Sequence, residues 1–174
     1  MKNRINAFLF IALLSFSLGH SQTKEGALRD AKTTSKATLD QDFKTVLKHT
    51  LPKVVELMGG QEQAIPMLKK TFDDLNSQGF VFEKADILNV SEIVFEQDQH
   101  RCIVEGYNVM KMNDKRIKSK SYLLGIYNSE AQYWCFIEAK QLKNPNMMNM
   151  VFSDFQTKLE IPDDQLTTEV IEEN

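Results

Sequence analysis

The residues that most often carry chemistry are scarce in this sequence. Its 174 residues include two cysteines and three histidines. Cys102 and Cys135 allow one intramolecular disulfide at most, which excludes a disulfide-stapled scaffold. Set aside His20, which belongs to the leader argued below, and only His49 and His100 remain. A zinc centre wants clustered His, Cys or carboxylate ligands, and no such cluster is visible. A long apolar run is also missing. Ala7 to Leu18 spans about a dozen residues, short of the roughly twenty that cross a bilayer. Positive charge is not in excess: the net charge is −3, which argues against a nucleic-acid backbone as partner. There is no internal repeat and no low-complexity stretch.

The N-terminus is what the sequence does have. Lys2 and Arg4 precede the apolar run, and Gly19-His20-Ser21 follows it, with small residues at −3 and −1 of a cut before Gln22. That is the pattern of a secretory signal peptide over residues 1–21. No Cys follows the cut, so a lipid anchor is not indicated. The expectation is a soluble secreted or periplasmic protein with no membrane anchor after cleavage. About 150 residues then remain, enough for one domain with a real core.

Residues 23–36 are polar, with Leu28 and Ala31 at helical spacing, and read as a leader or a frayed first helix. Thr38 and Gln41 fit a capping box, followed by an apolar stripe at Leu39, Phe43, Val46 and Leu47. Pro52 suits the first turn of a next helix, and Gly59-Gly60 ends it. A further helix runs from Gln61 through Ile65, Leu68, Phe72 and Leu75, closed by Gly79; Pro66 is acceptable only in its opening turn. From Phe80 the period changes to two. Strands are expected over Phe80–Phe82, Ala85–Glu96, Arg101–Met112, Arg116–Tyr127 and Gln132–Glu138, with turns at Asp98-Gln99, Asn113-Asp114 and Asn128–Glu130. Met147 to Phe155 reads as a short amphipathic helix, Ile161-Pro162 ends it, and residues 163–174 read as an acidic mobile tail beyond a domain of residues 22–162.

Helices, then antiparallel strands, then one short helix make an α+β fold. The expectation is N-terminal helices packed on a curved antiparallel sheet of four to six strands, with a short C-terminal helix. The second sheet face then meets solvent or curves into a pocket. In a simple meander the two cysteines flank one intervening strand, Cys102 beside Gly125 and Cys135 beside Leu123 or Leu124. That spacing is about 9–10 Å, too far for a disulfide, which needs Cα atoms within about 7 Å.

The order of elements over residues 38–138 resembles the nuclear-transport-factor-2-like superfamily, with its cone-shaped, cystatin-like fold. The segments that carry the likeness are Thr38–Met58, the break at Gly59-Gly60, the helix Gln61–Leu75 and the long strands from Arg101 to Glu138. The resemblance implies helices before a strongly curved sheet. Pocket enzymes of that superfamily commonly set an Asp or His inside the cone. Here the strands from Arg101 to Glu138 hold no His, and their one Asp is Asp114 in a turn. The leader and the strand Tyr133–Glu138 also look like those of small exported proteins of Gram-negative bacteria with no assigned role, a resemblance that implies export and no activity.

Candidate chemistry is sparse. His100 and Cys102 share a strand face, a partial match to a metal site or to a thiol with its base. His49 reads as a packing or hydrogen-bonding residue between two helices. Glu105, Tyr107, Tyr122 and Glu138 are the acid or base candidates for a pocket. The hairpin register sets Glu105 opposite Tyr122, and Lys120 stands ready as a diagonal partner. Arg116, Lys118 and Lys120 alternate along one strand face, with Lys111 and Lys115 near the turn, and read as a solvated face that protects a sheet edge or as an anion-attracting stripe. Tyr133, Trp134 and Phe136 are the densest aromatic cluster, either core or a ligand-facing wall, with Met147, Met148 and Met150 as a lid. No catalytic residue, metal or cofactor is assigned. The ligand-binding candidates are Tyr107, Tyr122, Trp134 and Phe136. The functional expectation is a non-catalytic module binding a small apolar ligand or a protein partner, with a homodimer through the open sheet face as one form. The alternative is a small isomerase, dehydratase or cyclase of the cone fold.

Overall fold

The computed structural model describes residues 22–171; the expected signal peptide and the last three residues lie outside them. The first helix, α1 (Lys24–Leu39), starts where the Thr23 side chain accepts the Gly26 N–H at 3.2 Å. It is a regular 16-residue helix, not a leader or a frayed end. Its buried stripe is Ala27, Ala31 and Ala37, with Gly26 and Asp30. Alanines carry little apolar signal, yet their small size lets the helix come close to the sheet.

The expected capping box at Thr38 does not form, because α1 runs through it and Thr38 bonds back to the Thr34 carbonyl. The chain turns instead at Gln41, whose φ is 56°, and Asp42 caps α2 (Phe43–Lys48). Asp42 accepts the Thr45 N–H at 3.2 Å and the Thr45 hydroxyl at 2.6 Å, and these bonds hold its carboxyl below the usual range. Helix α3 (Pro52–Leu57) opens on Pro52, and Gly59 and Gly60, at φ 86° and 84°, lead into α4 (Gln61–Ser77). Pro66 sits in the sixth position of α4, past the opening turn. The helix tolerates it at a surface location where only Ala64 is buried.

The strands are β1 (Phe80–Val90), β2 (Val94–Glu96), β3 (Gln99–Met112), β4 (Lys115–Asn128), β5 (Tyr133–Glu138) and β6 (Gln165–Val170). They form one antiparallel six-stranded sheet, curved, with the N-terminal helices packed on it and a short helix after β5, an α+β architecture. β3 is central, between β1 and β4, and β2 pairs with its start. β4 carries both β5 and β6 on its other edge, β5 along residues 123–128 and β6 along residues 115–120. Gln97 and Asp98, at φ 49° and 57°, make the two-residue turn from β2 to β3, and Asn113, at φ 53°, opens the turn from β3 to β4. β6 falls within the segment expected as a mobile acidic tail. It pairs with β4 from Lys115 to Lys120, and acids in and just before it find lysines: Asp163 pairs with Lys143, Asp164 with Lys140 and Glu169 with Lys118.

The sheet carries a core on each face. On the helix face, Ala27 and Ala31 of α1 meet Val90, Cys102, Val104, Tyr127, Trp134 and Phe136. On the outer face, Ile103, Leu124, Ile126, Cys135 and Ile137 meet Leu51, Leu142 and Val151. The cover on this outer half comes from the 3-10 turn Ala139–Lys143, from α5 (Pro145–Val151) and from a strap over residues 152–161. The β5 half of the expected open or pocket-forming face is therefore closed by the chain's own C-terminal segment. Arg101, only 3% exposed, pins the strap. Its guanidinium donates to the Gln156 carbonyl at 2.8 Å and lies 4.8 Å from the Phe155 ring centre. Glu96 holds the same strap by accepting the Thr157 hydroxyl and the Lys158 N–H, at 2.7 and 2.8 Å.

Gly125 sits in β4 on the helix face, opposite both Cys102 and Phe136. A Cβ there would stand 2.9 Å from Cys102 Sγ and 3.2 Å from the Phe136 ring. Both neighbours are fully packed, so Gly125→Ala is expected to destabilise the fold by about 1–3 kcal/mol, read as a lower denaturant midpoint at unchanged slope.

Candidate functional site

β5 is an outer strand, and its free edge is closed by groups from the helical region. The Trp134 N–H donates to Asp30 Oδ2 at 2.9 Å. His49 Nδ1 lies 2.8 Å from the Trp134 carbonyl. A carbonyl only accepts, so Nδ1 carries the proton. The next outward pair is met by backbone: Phe136 N–H to the His49 carbonyl at 2.7 Å, and Leu51 N–H to the Phe136 carbonyl at 3.1 Å. Asp30 and His49 are both buried, at 5% and 4% exposure. His49 thus hydrogen-bonds at the junction of α2 and α3, as expected, and it also stacks edge-on against Tyr133. Asp30 was not legible as special, since a single Asp in a polar helix looks like a solvated one.

The four candidate ligand-binding residues do not converge. Trp134 and Phe136 belong to the helix-face core, at 0% and 4% exposure. Tyr107 and Tyr122 stand on the outer face, by strand parity with Ile103 and Leu124, and are half-buried. One pocket cannot be lined by all four, because alternate residues of a strand point to opposite faces. The methionine helix α5 is likewise on the outer face, so it does not lie over Trp134 and Phe136. Two open grooves flank α1, of about 350 and 520 Å³, lined by residues such as Lys32, Ser35, Lys36, Asp86 and Leu88 in the first and Glu25, Leu28 and Arg29 in the second. Neither includes any of the four aromatic candidates.

Glu105 lies opposite Tyr122 as the hairpin register requires, and pairs diagonally with Lys120 at 2.7 Å. That contact raises the Lys120 pKa. The rest of the basic stripe is matched as well. Arg116 forks onto Glu83 at 2.6 and 3.1 Å, Lys118 reaches Glu169 at 2.7 Å, and Arg116 lies 3.8 Å from Glu169. Lys84 pairs with Asp86 at 2.7 Å and lies 5.7 Å from the Tyr107 ring centre. The outer face of this half is a mixed-charge ladder, in which β1, β3 and β6 supply the acids.

Both cysteines are free and buried. Cys102 faces the helices and Cys135 faces the strap, so they are separated by the sheet itself as well as by a strand. Burial pushes each thiol up to about 12, which disfavours the thiolate that nucleophilic chemistry would use. His100 packs against Phe95 and Tyr127 instead of acting on Cys102. Among the described residues no group of three or more His, Cys, Asp or Glu could hold a metal ion, and no helix is long and apolar enough to cross a membrane. Glu138 closes β5. Its Oε2 is buried without a hydrogen bond, 3.5 Å from Lys140 Nζ, and desolvation, with Asp164 nearby, pushes its carboxyl above the usual range.

No protein family, characterised protein or solved structure matches this chain.

Asp30→Ala takes away the acceptor that the Trp134 N–H uses, and is expected to cost about 1–3 kcal/mol in chemical unfolding. Glu138 behaves in the opposite sense. Its folded pKa lies above its unfolded one, so its contribution to stability is present at low pH and lost as pH rises through the folded pKa. Glu138→Gln is therefore expected to raise the thermal midpoint at pH 7 and to leave it nearly unchanged near pH 4.

Proposed function

We propose that this chain is an exported, non-catalytic protein-interaction module. The observation that carries the reading is a contrast within one sheet. The half around β5 is closed on both faces and along its edge by the chain's own helices, strap and side chains. The half around β6 presents a strand exposed at every residue, with Leu166 at 68% and Val170 at 65% exposure. An exposed strand edge is a ready template for another chain.

Two further points support a protein partner over a small apolar ligand. The aromatic candidates are divided between two faces, and the grooves beside α1 are open with charged rims. Ligand sites are concave and mostly apolar. A pocket enzyme of the nuclear-transport-factor-2-like kind would need an acid or base facing an apolar cavity. Here Glu105 is occupied by Lys120, and Tyr107 lies beneath Lys84. Export rests on the sequence of residues 1–21.

Native mass spectrometry on protein purified from cells expressing the full chain tests both parts. The expected result is a polypeptide beginning at Gln22 with no small-molecule adduct. A stoichiometric small-molecule mass overturns the interaction reading in favour of a ligand carrier, and an intact Met1 overturns export.

A further inference from the structure

On the interaction reading above, we infer that the partner is a second copy of this chain, joined antiparallel through the free edge of β6. The backbone itself assigns that edge. The Ile171 N–H donates to the Asp114 carbonyl at 2.6 Å, one step beyond the paired Lys115 and Val170. Hydrogen-bonded and non-bonded pairs alternate along an antiparallel ladder. Gln165, Thr167 and Glu169 therefore aim their backbone groups at β4, while Leu166, Thr168 and Val170 aim theirs outward. β5 obeys the same alternation, and at its outward residues Trp134 and Phe136 every backbone group is met. On β6 no described residue meets the outward groups.

The other sheet edge is defended. β1 carries two register shifts, between Phe82 and Lys84 and between Ile87 and Asn89, and Ser35 of α1 bonds to the Ala85 carbonyl. Bulges and covering helices are the usual defences of an edge. β6 pairs with β4 in unbroken register and contains neither proline nor bulge.

The sequence of β6 is complementary to itself. A two-fold axis perpendicular to the sheet keeps the faces matched, and centring it on Thr168 brings all three outward residues into hydrogen-bonded pairs. Thr168 then meets Thr168 of the second copy, and Leu166 meets its Val170. About six backbone hydrogen bonds result. The exposed Leu166 and Val170 cover each other on the helix face. Glu169 falls opposite Thr167 on the other face, so the two carboxylates are not opposed. Shifting the axis to Glu169 would oppose them directly, and shifting it to Thr167 would lose the Val170 pair. The two-fold also directs the bodies of the two copies away from each other, because β6 runs from mid-sheet at Gln165 to the tip beside Asp114.

The test is light scattering on protein from the full chain, with two variants. Wild type is expected to be a dimer at tens of micromolar, by the modest size of the edge. Thr168→Pro removes an N–H that faces outward, which an edge strand tolerates. It is expected to raise the dimer dissociation constant by about tenfold or more while the far-UV spectrum stays unchanged. Thr168→Cys is expected to cross-link the dimer on mild oxidation, since hydrogen-bonded pairs sit about 5.5 Å apart at Cα. Thr167→Cys, opposite Glu169, is expected not to. A wild-type monomer across the concentration range overturns the self-pairing. So does a dimer that ignores Thr168→Pro and cross-links equally through position 167. Neither result bears on the small-molecule adduct that would strike the interaction reading, so the two fail separately.

Discussion

The structure depends most on how β5 is held. Trp134 presents one N–H and one C=O to the outside of the sheet, and α1 and the α2–α3 junction answer with Asp30 and His49. An unmet backbone group at that depth would cost about as much as a lost hydrogen bond or more. The two side chains therefore fix the position of the helical layer relative to the sheet. The alanines of α1 can then approach Cys102, Val104 and Trp134 closely, and Gly125 leaves room for Phe136 beside Cys102.

Closing that edge leaves the outer face to the C-terminal half of the chain. After β5 the polypeptide crosses to the opposite side and covers Ile103, Leu124, Ile126 and Ile137 with Leu142, Val151 and the strap. Arg101 and Glu96 lock the strap down by polar contacts with its backbone. Both cysteines end up in apolar surroundings on opposite faces, which accounts for their raised pKa and for the absence of a bridge between them.

The rim of the sheet is governed by charge matching. Arg116 and Lys118 would repel one another on a bare strand face, but Glu83 from β1 and Glu169 from β6 alternate with them. Each exposed pair is weak by itself. Together they match the register in which β6 lies on β4, with Leu166 and Val170 exposed on the helix face. The same strand that neutralises the basic stripe becomes the open end of the sheet.

Local signals in the sequence determined a good deal. The switch from a helical to a two-residue period at Phe80, the glycine breaks and the two-residue turns specify helices before an antiparallel sheet. The turn at Asn113-Asp114 specifies the register that puts Cys102 beside Gly125 and Glu105 opposite Tyr122. These features depend on neighbours in the chain or across one hairpin, so spacing is enough to read them. The pairing of β5 was one step harder: Cys135 faces Ile126, not Leu123 or Leu124, because the loop after Asn128 is longer than a tight turn. What only the tertiary structure decided is everything that joins distant segments: Asp30 with Trp134, Arg101 with the strap, and the acidic C-terminal segment with the basic strand. An acidic stretch such as residues 163–170 has the composition of a solvated tail, and it becomes a strand only where a complementary charge ladder and a free edge of β4 coincide in space. Strand parity likewise separated Trp134 and Phe136 from Tyr107 and Tyr122, since residues that look alike in composition are divided by the two faces of one sheet.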